Sequence, residues 1–309
     1  MGKRLALALL IGICLASGAR AGPWATPPAT WEVPPPNIIP LQPHYEVGAR
    51  YWWSEGKTNF SIDSSKMDPS LGLPSAKLTY DNVQGNAAEF VFRAWTEANL
   101  FAKGFVGGGM LSGGTLDGSV FSPGSTKFPV TDSSLGGKNL AYGTLDIGKS
   151  FTLSDGTAKV TLSPFIGLNL WQEQTETDSC QPNDAVCGGL AISTNKQGWS
   201  ALRLGSELQV KLFDRVTLIG DAAILPIAYL TDDAGASLQN SGRGWGYQLE
   251  AELKVDLTPC WSIGSGVRYW FAEIDDGKAK FLDFTNTASE LTSFTSQRFG
   301  VFGDVTYKF

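Results

Sequence analysis

GWGYQLEAELKVDL, residues 244–257, reads differently on its alternate positions. Trp245, Tyr247, Leu249, Ala251, Leu253, Val255 and Leu257 carry no charge, whereas Gln248, Glu250, Glu252, Lys254 and Asp256 are polar or ionised. A spacing of two is the period of an extended strand whose two faces meet unlike surroundings. The alternation recurs from His44 to Phe309 in ten segments, near 44–62, 78–96, 100–112, 139–152, 157–174, 198–212, 216–230, 244–258, 261–274 and 297–309. No segment holds a helical apolar period, so the chain is predicted to be all-β.

The breaks between segments alternate in length. Those near 97–99, 153–156, 213–215 and 258–260 are tight, whereas those at 63–77, 113–138, 175–197, 231–243 and 275–296 are long, polar and Gly-rich. An even strand number, short turns at one end and long loops at the other is the layout of a bacterial outer-membrane barrel. The expectation is therefore a ten-stranded antiparallel transmembrane β-barrel with periplasmic turns and extracellular loops. Segments of up to 19 residues exceed the ~9–11 residues of a bilayer-crossing strand, so several should project beyond the lipid.

Periodicity does not say which face is outside; composition does. One face is cleanly apolar, as in Val160, Leu162, Pro164, Ile166, Leu168 and Leu170, while the other mixes small and charged residues, as in Arg203, Gly205, Glu207, Gln209 and Lys211. A membrane barrel turns the apolar face outward. Tyr51, Trp52, Trp53, Trp199, Trp245, Trp261, Tyr269, Trp270 and Phe271 sit near segment ends and are predicted to form interfacial girdles. The inward set is then Glu46, Arg50, Glu89, Arg93, Asp146, Arg203, Glu207, Lys211, Asp221, Glu250, Glu252, Lys254, Asp256, Arg268, Arg298, Asp304 and Lys308, eight cations and nine anions. Ten strands enclose a lumen little wider than the eight-stranded kind that side chains fill. Charges of both signs there should pair, because an isolated buried charge costs several kcal/mol. A braced, largely plugged lumen is expected, with a narrow ion or solute pathway as the alternative.

Lys3, Arg4, an apolar run from Leu5 to Leu15 and the small-residue site Ala19–Ala21 form a secretory signal, with cleavage expected after Ala21. A lipoprotein would need a small residue before Cys14, and Ile13 stands there. Removing residues 1–21 takes three of the 24 basic residues and none of the 30 acidic ones, leaving a net charge of −9. That excess of acid disfavours nucleic acid as a partner. Residues 22–43 hold eight prolines and are read as an extended periplasmic tether before a barrel spanning 44–309. Cys180 and Cys187 bracket the turn-rich CQPNDAVC and are expected to form a local disulfide in an oxidising compartment, which leaves Cys260 as a buried free thiol.

The chain ends in RFGVFGDVTYKF, where Phe299, Val301, Val305, Tyr307 and Phe309 alternate up to a terminal aromatic. This resembles the C-terminal strand signature that outer-membrane proteins present to the barrel-assembly machinery, with Tyr307 and Phe309 as its core. The ten-strand, five-loop plan over 44–309 resembles the omptins, the ten-stranded outer-membrane proteases. GGGMLSGGTLDGSVF at 107–121 is similar to the omptin second-loop region, where two aspartates stand one residue apart. Here those positions are Asp117 and Ser119, so one carboxylate remains. The fourth omptin loop supplies an Asp and a His, whereas LTDDAGASLQN offers Asp232 and Asp233 and no histidine. The resemblance thus implies the architecture without the protease. LTYDNVQGNAAEFVFRAW, 78–95, also resembles strand two of a broader set of outer-membrane barrels, which implies location and fold only.

General-base chemistry at a serine or an Asp–His pair needs a histidine. The single histidine, His44, lies at the start of the first strand, opposite the long loops. Loop carboxylates Asp117, Asp178, Asp184, Asp232, Asp233, Asp275 and Asp276 lack the EF-hand spacing for calcium. The sequence therefore reads as a non-catalytic, monomeric outer-membrane barrel, structural or surface-binding and adhesive through its extracellular loops. A narrow porin-like channel and an omptin-like protease are the alternatives. The expected partners are outer-membrane lipids, the assembly machinery and an extracellular ligand at the loops, with no cofactor or metal.

Overall fold

The computed structural model describes residues 44–65, 74–121, 127–155, 158–177, 194–234, 238–281 and 288–309. Residues 1–43, expected as a signal segment and a Pro-rich tether, and Asp178, Cys180, Asp184 and Cys187, lie outside them. The strands are β1 (His44–Asp63), β2 (Ala76–Trp95), β3 (Leu100–Ser112), β4 (Thr115–Phe121), β5 (Lys127–Lys149), β6 (Phe151–Asp155), β7 (Lys159–Thr177), β8 (Thr194–Phe213), β9 (Val216–Ala234), β10 (Leu238–Asp256), β11 (Trp261–Phe281) and β12 (Ala288–Lys308). β3 and β4 form one stave interrupted at Gly113 and Gly114, whose φ angles are 63° and 113°. Both stretches ladder against β2. β5 and β6 likewise share β7 as their partner across the break at Ser150. Ten staves result, and β1 pairs with both β2 and β12, which closes the ring. Closure leaves no unpaired edge, the only way a sheet can cross lipid with its backbone satisfied.

The staves are longer than the alternation of apolar residues suggests. Much of 113–138, 231–243 and 275–296, and the two ends of 175–197, expected as loop, continue the ladder, for example Thr115–Phe121 and Leu238–Arg243. The reason lies in the outward face, which changes chemistry partway up each stave. On β10 the exposed positions run Gln239, Ser241 and Arg243, then Trp245, Leu249 and Leu253. On β12 Glu290, Thr292 and Gln297 give way to Phe299, Val301 and Val305. On β1 the polar outward run from Asp63 to Glu55 gives way to Trp53, Tyr51 and Tyr45. The apolar band spans roughly ten residues per stave, the length that crosses a bilayer.

Inward faces change in the opposite sense. Level with the apolar band they carry Arg50, Glu89, Glu252 and Asp304; above it they carry Phe60, Ile62, Leu78, Leu230, Leu238, Leu291 and Phe294, all buried. The lower half is patterned as a membrane barrel and the upper half as a soluble one. About ten projecting residues at ~3.3 Å each, tilted some 40°, raise the upper half by roughly 25 Å.

Bulges keep the inward set inward. At Leu225–Ile227 the pairing to β8 skips a residue beside Pro226, and inward parity passes from odd numbers (Ile219, Ala223, Leu225) to even ones (Ala228, Leu230, Asp232). A proline in mid-strand is tolerated at such a bulge. Three aromatics expected in the girdles, Trp52, Trp199 and Trp270, instead face the lumen and are buried. Trp53, Trp245 and Trp261 do face outward. Tyr307 and Phe309 are also on the outer surface, where Tyr307 packs edge-on to Trp261 with ring centroids 4.9 Å apart. Cys260 is exposed in the β10–β11 turn rather than buried, since a four-residue turn at the barrel rim has no interior.

Glycines clear room for the luminal charges. A Cβ on Gly264 would lie 2.5 Å from Asp304 Oδ1 and 2.8 Å from Glu252 Oε1. Gly264→Val is expected to destabilise the barrel by about 1–3 kcal/mol through overpacking. Comparing boiled and unboiled gel migration across a denaturant series reads this out: the wild type keeps its folded mobility to higher urea than the variant.

Candidate functional site in the barrel lumen

The inward charges of the lower half meet in one lattice. Arg268 from β11 donates to Glu89 on β2 at 2.6 Å and to Glu250 on β10 at 2.7 Å. Arg50 from β1 reaches Glu250 at 2.8 Å, Glu252 at 3.0 Å and Asp304 at 2.9 Å. Arg93 bridges Glu207 at 3.6 Å and Glu252 at 3.7 Å. Lys103 donates to Glu207 at 2.7 Å and to Asp221. Arg203 then joins Asp221 at 3.1 Å to Asp146 at 2.7 Å. Lower still, Lys254 meets Glu46 at 2.8 Å and Lys308 meets Asp256 at 2.8 Å. These ion pairs join strands across or around the lumen, so the lattice ties opposite walls together.

Aromatic rings roof this lattice. Trp52, Tyr142, Trp171 and Trp270 pack with centroids 4.1 to 5.4 Å apart in the Trp52–Tyr142, Trp52–Trp270, Tyr142–Trp171, Tyr142–Trp270 and Trp171–Trp270 pairs. The Arg268 guanidinium lies 4.3 Å from the Phe105 ring centre and 5.0 Å from that of Trp52. A delocalised cation suits such a setting, being weakly hydrated and attracted to ring faces. Tyr142 donates its hydroxyl to Glu89 at 2.5 Å, which locks roof to lattice. Above the roof, Arg298 donates to Glu173 at 2.8 Å and to Ser54 and the Val83 carbonyl at 3.1 Å. Phe60 and Phe294 stack at 5.4 Å higher up.

The space left over is small. A cavity of about 50 Å³ lies among Arg50, Arg93, Lys103, Asp146, Arg203 and Glu207, and one of about 30 Å³ lies beside Trp171, Trp199 and Arg298. Since a water needs some 10–15 Å³, the first holds about three to five waters and the second about two or three.

Of the residues singled out from sequence, Arg50, Arg93, Asp146, Arg203, Glu207, Asp221, Glu250, Glu252 and Arg268 are brought together in the lattice, with Lys254 just below. Arg298 stands apart, paired to Glu173 above the rings. Lys211 is exposed at the rim, and Lys103, not singled out, takes a central place. Its inward position was readable from Phe101, Lys103 and Phe105 alternating in LFAKGF.

The three loop candidates are not in loops. Asp117 is exposed on β4 and Asp233 is exposed on β9. Asp232 faces the upper lumen, 1% exposed, and accepts hydrogen bonds from Asn195 at 3.0 Å and Asn240 at 2.8 Å. Burial, and secondarily the neighbouring Asp233, push its carboxyl up to about 7. His44 stacks on Trp95 at the short-turn end, ring centroids 4.2 Å apart. Thr58, whose hydroxyl bonds Gln197 next to Asp232's level, is 14 residues further along β1, roughly 45 Å of extended chain.

Glu89 is the keystone acceptor, bonded by Arg268 and Tyr142. Glu89→Gln is expected to cost about 3–5 kcal/mol, the usual penalty for leaving one member of a buried pair unmatched. Combining it with Arg268→Met should restore a large part of that loss. Urea unfolding in detergent, followed by tryptophan fluorescence, measures both; equal midpoints for the two variants would refute the pairing.

No family model matches the chain, and no curated protein matches it either. The structure is similar to the outer membrane protease OmpT from Escherichia coli, with a TM-score of 0.58 at 11% identity, over 86% of this chain and 97% of that one. The Pseudomonas putida toluene transporter TodX aligns over 87% of this chain and 90% of its own at 11% identity, with a TM-score of only 0.27. At such identity the likeness concerns the fold and not the chemistry. The chain therefore has the fold of a closed ten-stranded antiparallel β-barrel, on the same plan as that outer membrane protease.

Proposed function

We propose that this protein is a non-conducting, non-catalytic barrel whose projecting upper half serves as a binding or adhesive surface outside the cell. The observation that carries the reading is the double obstruction of the lumen, ion-pair lattice below and aromatic roof above. A hydrated ion entering from either end would have to break Arg268–Glu89 and part the four rings. Each break exposes a buried charge or separates tightly packed aromatics, at a cost of several kcal/mol. The non-catalytic part is supported by the placement of the acidic residues. Asp117 and Asp233 are on the outer surface, Asp232 is inside the wall, and the single histidine is at the opposite end. The upper outer wall is rich in Ser, Thr, Asn, Gln, Lys and Asp, for example Asn59, Ser61, Lys77, Thr231, Gln239 and Lys278. A rigid polar wall of this kind can present hydrogen-bonding groups to another surface without first ordering a loop.

In planar bilayers the protein is expected to give no stable conductance steps. Replacing Trp52, Trp171 and Trp270 together by alanine should still give none, because the lattice remains as the other barrier, whereas adding Arg268→Ala and Glu89→Ala should introduce them. Reproducible steps from the unmodified protein would favour a narrow channel instead. Binding of whole cells displaying the barrel to host-cell or matrix surfaces, compared with cells lacking it, tests the surface role.

A further inference from the structure

The ion-pair lattice is short of positive charge. It joins five cations, Arg50, Arg93, Lys103, Arg203 and Arg268, to seven carboxylates, Glu89, Asp146, Glu207, Asp221, Glu250, Glu252 and Asp304. Lys254 and Glu46 below it cancel each other, as do Lys308 and Asp256. An ionised carboxylate in so narrow a space costs several kcal/mol when no positive charge is left to match it.

Three carboxylate oxygens of the lattice are buried without a hydrogen-bond partner: Asp146 Oδ1, Glu252 Oε1 and Asp304 Oδ1. The first lies against the wall at Gly167, 2.0 Å from where a Cβ would stand. The other two meet. A Cβ on Gly264 would lie 2.5 Å from Asp304 Oδ1 and 2.8 Å from Glu252 Oε1, so both oxygens flank one spot. Gly264 is on β11, between β10 and β12, and pairs in register with Lys254 on one side and Asp304 on the other. Its missing side chain lets carboxyls from two non-adjacent strands approach over it. One nitrogen holds the pair from the far side, for Arg50 Nη2 donates to Glu252 Oε2 at 3.0 Å and to Asp304 Oδ2 at 2.9 Å. Arg93 also approaches Glu252 at Oε2, 3.7 Å away. The other charged neighbours are engaged elsewhere: Glu250 with Arg50 Nη1 and Arg268, Glu89 with Arg268, and Lys254 with Glu46. The cations thus hold the outer oxygens and leave the inner ones facing each other.

Two acceptors face to face need a donor between them. A metal ion does not suit the place, since two carboxylates alone are a poor ligand set. Among the described residues no group of three or more His, Cys, Asp or Glu could hold one. A proton does suit it. It turns one acceptor into a donor, forms the short and strong O–H···O⁻ kind of hydrogen bond, and removes one of the two excess negative charges. We propose that Glu252 and Asp304 share a single proton, as a carboxyl–carboxylate latch that ties β10 to β12 across Gly264. The latch lies beside the β1–β12 seam that closes the barrel, where Arg50 of β1 grips both of its members. Losing the proton would set two carboxylates against each other where the ring is joined. The inference concerns the lattice alone and stands whether or not the upper wall binds another surface.

The test combines the infrared spectrum and the urea midpoint of the purified barrel in detergent at pH 7.5. The wild type should show the carbonyl band of a protonated carboxyl. Asp304→Asn and Glu252→Gln should each lose that band, whereas Asp232→Asn should keep it. Each of the first two amides supplies its own N–H in place of the shared proton. Both variants should therefore unfold at the wild-type midpoint or above it, unlike Glu89→Gln. A band that survives both substitutions would overturn the proposal, and so would amide variants as unstable as Glu89→Gln. Should these variants fail to fold, neutron diffraction from deuterated crystals of the wild type decides the matter. A deuteron between Glu252 Oε1 and Asp304 Oδ1 supports the latch, and a bridging water or an open gap refutes it.

Discussion

A sheet crossing lipid must satisfy every backbone N–H and C=O within itself, and ring closure is how this chain does so. Closing ten staves makes the lumen narrow, and turning the apolar residues to the lipid forces the polar ones into that narrow space. The ion-pair lattice follows from these two facts. Arg50, Arg93, Arg203 and Arg268 are suited to it because each planar guanidinium can serve two or more carboxylates from different walls. Arg50 alone meets Glu250, Glu252 and Asp304.

Above the lipid the constraint is lifted and reverses. The outer wall meets water and becomes polar, so the lumen is free to be apolar, and Phe60, Ile62, Leu230, Leu238 and Phe294 fill it. The change of regime falls at the ring of Trp52, Tyr142, Trp171 and Trp270. Trp52 and Trp270 meet Arg268 below as cation–π partners, Trp171 meets Arg298, and all four belong to the hydrophobic core that continues above. Arg298 and Asp232 are buried ionisable residues in that core. One is matched by Glu173; the other is held by two amides.

The membrane half was legible in the sequence because apolar residues alternate with charges there, as in the odd and even positions of 244–257. The projecting half was not. In stretches such as LQNSGRG, 238–244, the outward residues Gln239, Ser241 and Arg243 are polar and the inward ones include glycine and asparagine. Such a stretch reads as loop even when laddered on both sides. The luminal tryptophans read as girdle residues because Trp52 and Trp53, or Trp270 and Phe271, are adjacent in sequence and only strand parity separates them. Asp232 and Asp233 show the same effect, one inside and one outside. Parity beyond the bulge at Leu225–Ile227 depends on pairing with β8, which no local pattern reveals.

The chain reverses its inside and outside chemistry at a single level. Spin labels at single cysteines on the odd positions of 239–257, in a background without Cys180, Cys187 and Cys260, test it most directly in reconstituted bilayers. Labels at 245, 249, 253 and 257 should be accessible to oxygen and shielded from a water-soluble nickel complex, while those at 239, 241 and 243 should show the opposite. Lipid-like accessibility continuing through 243, 241 and 239, or aqueous accessibility at 249 and 253, would contradict it.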